Sequence, residues 1–315
     1  MVATKPAIVF VPGFWHTSDG FKPLTALLEK ENYSTTLIDL PSAGAHPGHP
    51  DNSEDVKIIR NVVADLADGG KDVLLVMHSG GSIPGIEAVE GLGRKEREVE
   101  GKKGGVVRVF YIGILLPETG KSIYETFQAV VASPELDPDF LIDPDQAFHV
   151  IAEVTSTLPR QRTTADLHHK DGTPTITDGD TRFYNDLPVE KAKYWSSKLT
   201  SLSLGYGGYV PIDLSGVETH ASAYAICLRD KTIPPKQDRE IVKNANIVRI
   251  FIFKAISYYC HSPFISILWT YTQKIRFPRQ LYLDIIFEID TGRCGYLSQP
   301  ETVAGFIRQA AGETI

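Results

Sequence analysis

Ser79 stands in Met77-His78-Ser79-Gly80-Gly81, after the apolar run Asp72–Met77 and before the helical pattern Ser82–Leu92. A serine on a tight strand-to-helix turn with small neighbours presents its hydroxyl clear of the backbone, where it can attack a carbonyl. The pattern is a degenerate G-x-S-x-G, with Met77 in place of the first glycine. Such chemistry also needs N–H donors for the oxyanion. Gly80, next to the serine, is one candidate, and Phe14, in the turn of "FVPGFWH", is the other. Trp15 and His16 are read as lining the mouth. The acid that orients a base belongs at the end of a late strand, and "YAICLRDKTIPP" places Asp230 there. The plainer readings are a glycine turn, a strand-ending turn with a packed aromatic, and an exposed aspartate capping a helix.

The elements that must position these residues follow from periodicity. Ile8–Val11, Ser34–Leu40, Asp72–Met77 and Val106–Leu116 read as strands. Between them Asp19–Glu31, Asp51–Leu66 and Ser82–Leu92 carry apolar residues at helical spacing. "GRKEREVEGKKGG" reads as a charge-dense surface loop. Strands alternating with helices predict an α/β fold, a doubly wound and mostly parallel sheet, in one domain over 1–315. From Pro117 to Ser215 the rhythm breaks into a polar stretch with helical pieces at Ser122–Ala132 and Pro188–Leu199, read as a helical cap. Tyr224–Leu228 resumes as a strand and Pro235–Ala245 as a helix. The chain ends in "SQPETVAGFIRQAAG", a serine-capped amphipathic helix.

Composition narrows the function. The 315 residues carry a formal charge of −7, against nucleic acid as the main partner. Cys227, Cys260 and Cys294 are too few and too scattered for a disulfide framework or a metal site, and no histidine falls in a metal-ligand pattern. The N-terminal apolar run is too short for a signal-peptide core, so a cytoplasmic protein is expected. Residues 246–284 are an outlier, with no acid between Glu240 and Asp284 and a crowd of aromatic and basic residues. The charge-free run Ala255–Gln273 approaches membrane-span length, but His261, Pro263 and several polar residues argue against a span.

The blocks "IVFVPGFWHTSDGF", "LIDLPSAG", "VLLVMHSGGSIPG", "YIGILLPETGKS", "FYNDLP" and "ICLRDKTIPP" occur in an order that resembles the α/β-hydrolases of compact, single-cap type. The chain is similar to small microbial and fungal hydrolases related to plant methylesterases and hydroxynitrile lyases. That resemblance covers nearly everything except Asn246–Leu283. It implies an α/β-hydrolase fold and a Ser-His-Asp acyl-enzyme mechanism on a small or medium ester or lactone. It further implies no cofactor, a small-molecule partner and a place in secondary metabolism. Ser79 is then the nucleophile, Asp230 the acid, and Phe14 and Gly80 the oxyanion donors.

The base is the difficulty. The family histidine lies just before the last helix, in a segment that "EIDTGRCGYLSQPE" matches, but Arg293 holds its position. A guanidinium stays protonated and cannot be a base. His261, in "CHSPFIS", carries the family's "HSPF" tetrad about thirty residues past Asp230. "NIVRIFIF" and "IIFEI" compete for the final strand. Either 246–284 is a genuine insertion that delivers His261, or about Val248–Asp284 is translated non-coding sequence and the histidine is missing. A catalytically impaired hydrolase-fold protein, or a non-hydrolytic lyase or cyclase, is therefore the alternative.

Overall fold

The computed structural model describes residues 5–113, 178–203, 220–244, 252–254 and 285–314, with isolated positions between 116 and 176. Among the described residues, seven strands form one parallel sheet. They are β1 (Ala7–Val11), β2 (Thr35–Leu37), β3 (Asp72–His78), β4 (Gly105–Ile112), β5 (Ser222–Cys227), β6 (Ile252–Lys254) and β7 (Ile285–Ile289). Their order is β2-β1-β3-β4-β5-β7-β6.

The central strands are apolar throughout because both faces are covered. In β3, Val73, Leu75 and Met77 pack into one core with Ile59 and Val63 of α2 (Ser53–Asp68) and Ile83 and Ile86 of α3 (Ser82–Ala88). Leu74 and Val76 point the other way, into a core with Leu24 and Leu28 of α1 (Lys22–Lys30) and Val303 and Ile307 of α9 (Pro300–Ala310). The helices between are α4 (Arg94–Val99), α5 (Gly179–Arg182), α6 (Val189–Ser196), α7 (Pro235–Asn244) and α8 (Gly295–Ser298).

Three expectations need correction. The segment read as a charged loop contains α4, closed by a capping contact in which the Gly93 N–H donates to Glu96 Oε2 at 3.1 Å. Its Arg97 is buried and donates to Asp68 and to the Gly104 carbonyl, so this stretch is not simply a solvated face. The helix expected over Asp19–Glu31 is a 3-10 turn, Ser18–Phe21, followed by α1. The two rival final strands both exist: β7 lies beside β5, and β6 pairs with the far side of β7.

The parallel arrangement sends β1, β3, β4, β5 and β7 out of the sheet at the same end. Val11 is in register with Met77, and His78 with Ile112. Cys227 is in register with Ile289. The segments carrying Phe14, Ser79, Gly113, Asp230 and Arg293 all follow these carboxyl ends, the edge of an open α/β sheet where ligands bind.

Candidate active site

β3 ends in a 3-10 turn, Ser79–Gly81, that leads into α3. Ser79 has φ of +50°, a left-handed conformation that costs a non-glycine residue on the order of 1–3 kcal/mol and persists only where its surroundings enforce it. The turn after β1 is one such constraint. A Cβ on Gly81 would sit on the Pro12 carbonyl oxygen, and one on Gly80 would lie 2.5 Å from the Phe14 ring. Only glycines allow the two turns to meet this closely.

Asp230 follows β5 and is 3% exposed. Its Oδ1 accepts the N–H groups of Thr232, at 2.7 Å, and Ile233, at 3.2 Å. Its Oδ2 accepts Arg293 Nη1 at 2.6 Å. The local cap fixes the carboxylate and leaves one oxygen for the site.

Arg293 is 1% exposed and reaches both partners of the expected triad. Nη1 donates to Asp230, and Nη2 donates to Ser79 Oγ at 2.7 Å. Its Nε finds no hydrogen-bond partner among the described residues. Burial opposes the charge, but the carboxyl groups of Asp230 and Asp238 outweigh it and hold the arginine pKa above its ordinary value. Among the described residues, the Ser79 hydroxyl is hydrogen-bonded to Arg293 alone. Arginine has no lone pair to take its proton.

Two further groups surround this pair. Asp238 of α7 is fully buried, and its Oδ1 accepts the Tyr224 hydroxyl at 3.0 Å. Burial first, then the charge of Asp230, pushes its pKa well above its ordinary value. His16 and His78 meet edge to face at 5.1 Å, both buried. Burial pulls His16 down to about 4, helped by the charge of Arg293. Burial, His16 and Arg293 lower His78 well below its ordinary value.

Among the described residues, Ser79, Asp230 and Arg293 come together, and Phe14 and Gly80 are in close contact beside them. His261 lies outside those residues, as does most of the cap over 117–215. His16 Nδ1 is held 2.6 Å from the Phe14 carbonyl, and its ring packs against Phe183 and Tyr184. His46 is held between the hydroxyls of Thr173 and Ser201. Asp238, Cys294 and Tyr296 were not singled out from sequence. Asp238 offered a signal only as an acid near the start of a helix after Asp230.

No helix among the described residues is long and apolar enough to cross a membrane. Comparison with known proteins gives consistent matches. The profile of the Alpha/beta hydrolase family matches residues 8–265. Alpha/beta hydrolase nvfD of Aspergillus novofumigatus is 33% identical over 152 residues, which is 47% of this chain and 60% of that protein. The chain covers less than two thirds of the curated relatives it matches. Polyneuridine aldehyde esterase has a TM-score of 0.62 at 16% identity, with 98% of this chain and 100% of that chain covered. A variant of tomato methylketone synthase I, complexed with beta-ketoheptanoate, has a TM-score of 0.61 at 13% identity, with 99% of each chain covered.

Proposed function

From the premise that the chain belongs to the α/β-hydrolase family, we propose that its site holds a small carbonyl compound through Ser79 and does not use that serine as an efficient acyl-transfer nucleophile. The observation that carries this reading is the position of Arg293 between Ser79 and Asp230. A general base must accept the serine proton, and a guanidinium cannot. Because Nη2 donates to Oγ, the serine proton has to point elsewhere. Ser79 then becomes a hydrogen-bond donor, polarised by the cation behind it. With the Phe14 and Gly80 N–H groups as oxyanion donors, three donors would converge on one carbonyl oxygen. The ligand class fits a compound whose carbonyl oxygen gains negative charge without serine attack. The beta-ketoheptanoate complex of the tomato neighbour supplies a chemical probe of that kind.

The strained φ of Ser79 favours a second reading, because such a turn suits a nucleophile. In it, His261 takes the proton, Ser79 attacks an ester or lactone, and Asp230 steadies the imidazolium after Arg293 has moved aside.

Labelling with a fluorophosphonate separates the two. On the first reading Arg293→His labels at least about 100-fold faster than the parent, the scale of restored general-base catalysis, and Ser79→Ala abolishes it. Rapid labelling of the parent that His261→Ala removes would establish the second reading.

A further inference from the structure

The segment that carries Arg293 is joined to the turn that carries Phe14 by three buried side chains. His16 Nδ1 lies 2.6 Å from the Phe14 carbonyl oxygen. A carbonyl can only accept, so Nδ1 carries the proton and Nε2 of the neutral ring is a bare acceptor. Cys294 Sγ lies 3.6 Å from that Nε2. The Tyr296 hydroxyl donates to the same sulfur at 3.4 Å. One set of directions joins these contacts: tyrosine O–H to sulfur, thiol S–H to His16 Nε2, and His16 Nδ1–H to the Phe14 carbonyl, with Nδ1 of His78 a second neighbour of the tyrosine hydroxyl at 3.5 Å. His16, Cys294 and Tyr296 are 5%, 1% and 2% exposed. At such burial, losing the thiol bond would leave the His16 Nε2 acceptor without its protein partner.

We propose that Cys294, with His16 and Tyr296, is a positioning residue for the site: its thiol locks the Arg293 segment to the Phe14 turn and thereby sets the Arg293–Ser79 contact. Cys294 is adjacent to Arg293, and the Phe14 ring packs against Gly80, next to Ser79. The chain thus closes a ring through both sides of the contact. Serine at 294 preserves the donor and the acceptor; alanine removes both. This role rests on the reading in which Arg293 stays against Ser79.

The test is nitrogen-15 NMR of the full-length protein, reading the His16 tautomer and the exchange of the Arg293 guanidinium protons. The parent is expected to show the Nδ1–H tautomer and slowly exchanging Arg293 protons. Cys294→Ala is expected to mix the tautomers and speed guanidinium exchange about tenfold, the effect of one buried hydrogen bond. Cys294→Ser restores both signals, and Tyr296→Phe gives a partial change. A Cys294→Ala protein that melts earlier but keeps the parent tautomer and exchange rate would overturn the proposal, since a merely structural thiol predicts that result. If Cys294→Ala does not fold, the tautomer in the parent and in Tyr296→Phe decides, and an Nε2–H tautomer in the parent overturns it.

Discussion

Gly113 and Arg293 meet at the end of β4: a Cβ on Gly113 would stand 3.4 Å from Nη1 of Arg293 and 3.5 Å from Oδ2 of Asp230. Gly113 also has φ of +52°. The φ penalises a side chain by backbone strain, while the added methyl group would make only ordinary van der Waals contact with the ion pair. Gly113→Ala should lower stability by about 1–3 kcal/mol, read as a shift in the urea midpoint. An unchanged midpoint would mean that the backbone relaxes without cost.

The ion pair itself is buried on both sides, with Asp230 and Arg293 side chains 0% and 1% exposed. Removing one member strands the other charge in a poorly solvated site. Arg293→Met should therefore destabilise by about 3–5 kcal/mol. The double variant Asp230→Asn, Arg293→Met should recover much of that loss, because it removes both charges. Chemical denaturation of the three proteins measures the coupling directly.

His16 predicts a pH dependence. Unfolded, its imidazole titrates at its ordinary value of 6.5; folded, at about 4. Between those values unfolding takes up a proton, so stability falls as pH falls through the window. The loss from His16 alone is roughly 3 kcal/mol by its lower end. Asp238, raised by burial, acts in the opposite sense. The diagnostic is therefore the difference between the parent and His16→Gln, whose denaturation profile should be flatter as pH drops from 6.5 to 4.

Gly81 is the least tolerant position near the serine. A methyl group there would overlap the Pro12 carbonyl oxygen, which is main chain and cannot swing away. Gly81→Ala should cost about 3 kcal/mol or more, or prevent accumulation of folded protein. Circular dichroism melting of the soluble fraction is the check.

Much of this site was legible because it rests on local patterns. An apolar strand, small turn residues and a helix suffice to place Ser79, and the strand before Asp230 places the acid. Arg293 was visible as the occupant of a familiar segment, though its bond to Ser79 was not. His16, Cys294 and Tyr296 left no pattern, because their contact spans 278 positions between His16 and Cys294. Arg97 was obscured by the charged residues around it. The spacing of Gly93 and Glu96 held the signal for a helix start, but the burial of Arg97 depends on Asp68, 29 residues away.

Strand β7 has a hydrogen-bonded neighbour on each side, β5 within the sheet and β6 beyond it. β6 belongs to the compositional outlier, so a shorter polypeptide lacking 248–284 would lose it. The outer rim of β7 would then present main-chain N–H and C=O groups with nothing across from them, a template for edge-to-edge self-association. If the shorter form is ever made, sedimentation should find it in assemblies of several copies, unless another segment takes over the vacant rim.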